Sequence, residues 1–250
     1  MLSGERFKSA FVRLIRRVNK QEWFHYISIL RYERLKRKYE YVSHPYKIIR
    51  VDPSNIGHRV LKISVEDGLG HILGGDWKTE PIDQISTYTG LKQRFERGYD
   101  WKNTDYVKYA ETKFEQGKNR FGYDNIDQFI DERCTYVDGL FKKIKEDGYQ
   151  TSYRINTNFP DGDIRNKSYY QDLDPLIAIG ENGEIYWRDG FHRFTIAEIL
   201  GIDIPALVVA RHKKWQGVRD TIGKSPEKHG FCEHPDVQDI ITGKETIVSV

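Results

Sequence analysis

Apolar residues recur at helical spacing near the start of the chain. Phe7, Phe11, Leu14, Ile15 and Val18 share one face, with Arg13, Arg16, Arg17 and Lys20 between them. A second helical stretch follows through WFHYISILRYERLKRKYEYV. The pattern changes at YKIIRVDP, and HRVLKISV alternates as a strand does. Glycines in DGLGHILGGDW (67–77) predict turns. The stretch holds no GxxxxGK[ST] signature and no GxGxxG between a strand and a helix, so it is not read as a nucleotide loop. Residues 90–117 read as helix, aromatic-rich turn and helix. Between Asp124 and Asp147, Ile126, Phe129, Ile130, Val137, Leu140, Phe141 and Ile144 line one side of a further helix, with Asp124 able to cap its start and Gly148 its end. Pro, Gly, Asn and Asp mark residues 156–175 as a loop long enough to be functional or a lid.

The final third has a clearer rhythm. LIAIGENGEIYWRDG predicts two strands joined at Glu181-Asn182-Gly183, an Asn-Gly hairpin signal. The helix FHRFTIAEILG follows, closed by Gly201, and IDIPALVVARH then forms a short buried strand after Pro205. The expected class is α/β (α+β): a mostly helical N-terminal half, then a small mixed-sheet domain. The segments are a basic helical stretch (1–50), a mostly helical region (51–149) and a domain with a C-terminal extension (150–250).

Composition narrows the function. The 250 residues suit one large or two small domains, and 13% aromatic with 31% charged residues is a globular balance. No apolar run of about 18 residues predicts a membrane span. The N-terminus carries charges throughout and lacks a signal-peptide core. Cys134 and Cys232 stand far apart without a CxxC pair, which points to two structural thiols in a reducing, cytoplasmic setting. The net charge of +3 is uneven. Residues 1–50 hold 13 Lys/Arg against 4 Glu, a net of +9, so the remainder carries −6. Such a face suits nucleic acid or an anionic membrane surface, the plainer alternative being a solvated helix. In RHKKWQGVRD (211–220), Lys213, Lys214 and Trp215 could neutralise phosphates and stack a base, or simply begin a solvated helix. HGFCEH (229–234) has a superficial metal-site spacing and reads better as an ordinary loop; Trp77 and Trp101 read as core anchors.

The densest chemistry is Asp189-Gly190-Phe191-His192-Arg193, at the mouth of an apolar helix. The first N–H groups of a helix lack intrahelical acceptors, and its dipole favours an anion there. Gly190 allows close backbone approach, and Arg193 offers a planar fork to phosphate oxygens. A cation at this end opposes the dipole unless an anion lies between. His192 can donate a hydrogen bond or pass a proton, and Asp189 can cap the helix, orient His192 or hold a divalent ion. A plainer alternative makes Asp189 only a cap and pairs Arg193 with Glu198 or another neighbour.

The DGFHR turn, its apolar helix, Gly201 and Ile204-Pro205, preceded by PLIAIGENGEIYWR, resemble the ParB/sulfiredoxin-like superfamily over roughly residues 150–212, most strongly 174–210. The resemblance implies a domain whose turn grips nucleotide phosphates or a phosphodiester. Gly190, Phe191, His192 and Arg193 are then expected at the phosphate, with Asp189, His192 and Arg193 as the catalytic group, Asp189 as a Mg²⁺ ligand, and ATP or CTP as the nucleotide. Phosphotransfer, nucleotide hydrolysis and nuclease chemistry all occur in such a family. Its kinase branch uses an upstream carboxylate base, for which Asp161, Asp163, Asp172 and Asp174 are candidates. Phe191 stands where the sulfiredoxin branch needs cysteine, so sulfinic-acid reduction is not expected. With about 40 residues after the motif, the DNA-binding domain of a full partition protein is not expected. The alternatives are non-catalytic nucleic-acid binding, through the basic N-terminus and the Trp215 region, and peripheral membrane association through the N-terminal helix.

Overall fold

Ile204–His212 forms the longest strand, and all nine residues are buried. An apolar run without polar alternation is what a strand covered on both faces requires. In the computed structural model, which describes residues 20–117, 122–151, 173–226 and 230–247, this strand is the spine of a seven-stranded mixed sheet. The strands are β1 (Ile48–Val51), β2 (His58–Val60), β3 (His71–Leu73), β4 (Thr79–Pro81), β5 (Leu176–Ile179), β6 (Ile185–Asp189) and β7 (Ile204–His212). Their order is β1-β7-β5-β6-β2-β4, and β3 also pairs with the end of β7. Four of the seven come from residues 48–81, so the sheet spans the boundary suggested at 149/150. Each of the four has only three or four residues, too few for a clear period-2 signal. The strand expected over HRVLKISV stops at Val60, and Lys62 turns to φ 61°. The Asn182-Gly183 hairpin forms as expected: Gly180 N–H donates to the Glu184 carbonyl at 2.8 Å, and Gly183 has φ 87°.

The helices are α1 (Lys20–Lys36), α2 (Ser86–Phe95), α3 (Asp105–Glu115), α4 (Thr135–Asp147), α5 (Phe191–Leu200), α6 (Lys213–Lys224) and α7 (Gln238–Thr242). A short helical turn, Ile126–Gln128, and a π-helical segment, Phe129–Cys134, lead into α4. The cap at the start of this helical run is Asn125 instead of Asp124, its side chain accepting from Gln128 N–H. Gly148 ends α4 at φ 74°, and Gly201 ends α5 at φ 64°. α1 stops at Lys36, short of the stretch its pattern suggested.

Alternate residues of the inner strands feed two cores. Ile177, Ile179, Ile204, Ala206 and Val208 join Trp187, Phe194 and Trp215 on one side; Leu176, Ala178, Leu207 and Val209 join Phe24, Tyr46 and Leu69 on the other. A third cluster lies among the helices and includes Leu91, Tyr106, Phe129, Val137 and Leu140. α5 is the joint: Phe194 and Ala197 enter the sheet core, while Ile196 enters the helical one. The C-terminal segment is fastened by Asp236, a buried carboxylate that accepts from Arg211 Nε at 2.9 Å, Arg211 Nη2 at 2.6 Å and Trp215 Nε1 at 2.9 Å, with Arg219 and Lys47 beside it.

Candidate anion-binding turn

β6 ends at Asp189 and α5 starts at Phe191, so one residue must reverse the chain. Gly190 does so at φ 88°, ψ 36°, a left-handed conformation that costs other residues energy. A Cβ here would also fall 3.0 Å from Pro175 Cα, where the segment leading into β5 passes over the turn. No side chain caps α5. The Asp189 carboxylate instead accepts the Gly190 N–H at 2.8 Å, and its own carbonyl accepts Trp187 Nε1–H at 2.9 Å. Burial raises the Asp189 carboxyl above its ordinary range, with the Gly190 hydrogen bond opposing the shift. The cap expected of Asp189 is therefore one residue short of the helix, turned back on the glycine.

Arg193 lies in the first turn. Its Nη2 donates to the Leu173 carbonyl at 2.6 Å, and it interacts with Tyr149 and Asp174. Asp174 is buried and accepts from the Tyr149 hydroxyl at 3.5 Å. The guanidinium thus sits against the 173–175 segment, not beside Glu198, which holds Lys92 at 2.9 Å and the Tyr88 hydroxyl at 2.7 Å. His192 points into the helical layer, its Nε2 2.9 Å from the Tyr106 hydroxyl. Arg133 Nε donates to the same hydroxyl at 3.4 Å. Burial, then Arg133 and Arg193, pushes the His192 imidazole well below its ordinary value, so it is neutral at pH 7. Phe191 packs on Trp187 with the rings tilted by 39° and their centroids 4.1 Å apart.

The fold therefore brings Asp189, Gly190, Phe191, His192 and Arg193 together with Asp174, and adds Tyr106, Arg133 and Tyr149, which the sequence did not single out. Tyr106 shared the apolar face of a helix, and nothing in its spacing tied it to position 192. Asp161, Asp163 and Asp172 lie outside the described residues, as do Arg13, Arg16 and Arg17. Lys213 and Lys214 are exposed at the start of α6, where Lys214 pairs with Glu181 at 2.7 Å. Trp215 does not join them as a stacking surface. It is fully buried, bonded to Asp236, and its ring lies where a Cβ on Gly183 would collide with it, which corrects the expectation that it meets a base. The Cys134 thiol is buried and pushed up to about 12, chiefly by that burial, so it is no thiolate nucleophile. His234 caps the 3₁₀ turn Pro235–Val237, and no group of three His, Cys, Asp or Glu able to hold a metal occurs among the described residues. No helix among them is long and apolar enough to cross a membrane.

A cavity of about 830 Å³ lies elsewhere, against β1 and the C-terminal segment, lined among others by Lys47, Arg50, Asp147, Asp239 and Lys244. Tyr149 lines it too, and also interacts with Arg193. No protein family, curated protein or solved structure matches this chain.

Proposed function

We propose that the Asp189–Arg193 turn binds a phosphate group, carried by a nucleotide or a phosphodiester. One observation carries the reading: α5, ten residues long, opens on a left-handed Gly190 without a side-chain cap, with the Arg193 guanidinium in the same first turn. Main-chain N–H groups and a helix dipole meet an anion there without reorganisation. Arg193 supplies the compensating charge, positioned by the Leu173 carbonyl. Pro175 packs against Gly190 on the side an added Cβ would occupy, so the turn keeps its glycine. Mg²⁺ belongs to the same proposal. It needs only one or two carboxylates when phosphate and water complete its shell, and Asp189 offers one. In phosphotransfer, nucleotide hydrolysis or phosphodiester cleavage, Asp174 is a candidate base, a described carboxylate that acts on Arg193 and accepts from the Tyr149 hydroxyl.

The experiment is a thermal-shift panel of ATP, CTP, GTP and ADP, with and without Mg²⁺, plus a short single-stranded oligonucleotide. A ligand at about 100 times its Kd stabilises the fold by about 2.7 kcal/mol, a readily measured rise in Tm. Arg193→Ala should abolish that rise. No shift with any ligand would overturn the reading.

A further inference from the structure

The imidazole of His192 has a partner supplied by a distant part of the chain. Tyr106 comes from α3 and Arg133 from the π-helical segment before α4, and both reach the turn across the helical core. We propose that Tyr106, backed by Arg133, is a positioning residue that holds His192 in the Nδ1–H tautomer, so that the turn carries a neutral hydrogen-bond donor and not a base. The geometry stands on its own; its consequence for ligand binding rests on the phosphate reading.

The assignment follows from hydrogen-bond bookkeeping. Arg133 can only donate, so its 3.4 Å contact uses a lone pair of the Tyr106 oxygen. Tyr106 is 3% exposed, and a buried hydroxyl hydrogen needs an acceptor. Among the described residues, His192 Nε2, at 2.9 Å, is the acceptor in reach. An imidazole that accepts at Nε2 keeps its proton on Nδ1. Protonating Nε2 would turn it against the hydroxyl hydrogen and add a cation to a site where, among the described residues, the charges acting on the ring are those of Arg133 and Arg193 and no carboxylate.

Tyr106 is itself held in place. Thr104 caps α3, donating to the Trp101 carbonyl at 2.7 Å and accepting from Val107 N–H at 3.4 Å. Behind Tyr106, α2 approaches so closely that a Cβ on Gly90 would lie 2.5 Å from Tyr106 N. Its ring packs on Phe129 at 5.3 Å and meets His192 edge-on at 5.4 Å. The phenol is thus fixed from three sides, as an oriented donor must be. The helical layer over residues 86–147 is on this account part of the turn's machinery.

Long-range ¹H–¹⁵N NMR on ¹⁵N-histidine-labelled protein reads the tautomer directly. The full chain should show His192 protonated at Nδ1, bare at Nε2 and not titrating between pH 5 and 8. An Nε2–H ring or an imidazolium at pH 7 overturns the proposal. In Tyr106→Phe, which keeps the ring and removes the hydroxyl, His192 should become a mixture of tautomers. An unchanged spectrum in that variant also overturns it. Should Tyr106→Phe not fold, the wild-type spectrum still decides. Nucleotide affinity should fall about fivefold in Tyr106→Phe, the size of one net hydrogen bond. A wild-type protein that shows the Nδ1–H tautomer but binds no nucleotide would sink the phosphate reading and leave the positioning intact.

Discussion

At the scale of single residues, buried charge governs stability. Asp236 is surrounded by Arg211, Arg219 and Lys47, and a well-partnered carboxylate can remain ionised where an isolated one could not. Burial opposes its charge, but Arg211 and Arg219 outweigh that and hold the carboxyl well below its ordinary range. Asp236→Asn would leave those cations facing a neutral amide, and removing one partner of a buried pair costs about 3–5 kcal/mol. Urea denaturation should show a loss of that size, and a change under about 1 kcal/mol would mean that water already compensates the cluster. None of this was visible in the sequence. Asp236 stands in an unremarkable EHPDVQ stretch, and its three cations arrive from β7, α6 and the strand edge at Lys47. Trp215 shows the same blindness from the other side. An indole among lysines and arginines reads equally well as a stacking platform or as a core residue, and only its contact with Asp236 and Gly183 decides.

At the scale of elements, glycines set how closely segments approach. Gly190 and Gly201 bracket α5 with left-handed backbone, but only at Gly190 would an added Cβ meet an atom within 4 Å. Both alanine variants pay about 1–2 kcal/mol for the conformation. Gly190→Ala also drives a Cβ into Pro175, so its Tm should fall below that of Gly201→Ala; equal losses would mean that the 173–175 segment yields freely. Gly90 offers a sharper contrast. Alanine in a helix interior is favoured over glycine by about 1 kcal/mol. Here the added methyl meets the backbone of α3, and overpacking costs about 1–3 kcal/mol. Gly90→Ala should therefore destabilise the protein in denaturant titration and disturb the His192 resonance by moving Tyr106. A stabilised variant would show that α2 and α3 are not held this tightly. The ends of α5 were legible in its sequence, because Gly190 and Gly201 flank an apolar run. The role of Gly90 was not, because a glycine inside a helical pattern does not say which neighbour it admits.

At the scale of the whole molecule, acid should lower the stability of the fold in two steps. His192 and His71 have ionisations depressed in the fold, chiefly by burial, His71 to about 4. An unfolded histidine titrates near about 6.5, so below that pH the unfolded chain binds more protons and stability falls as pH drops. Asp236 and Asp239 are held low by their cations despite burial, so their contribution is lost only below about pH 4, where unfolded aspartates protonate. Unfolding free energy measured from pH 8 to 3 should decline first below about 6.5 and again below about 4, the first decline shrinking in His71→Gln. A flat profile from 7 to 5 would contradict the depressed ionisation of these histidines. Alone, the sequence determined the hairpin, α5 and β7, because unbroken apolar runs between Gly, Asn and Pro signals leave the local backbone few alternatives. It also determined that Asp189–Arg193 would gather at a helix mouth, since adjacency in sequence guarantees adjacency there. Tertiary structure alone decided that four short strands from residues 48–81 complete the sheet, that Asp236 closes the C-terminal segment, and that Tyr106 meets His192 from 86 positions away. Such pairings are set by which surfaces the whole chain can bury together, and no local pattern of polar and apolar positions encodes them.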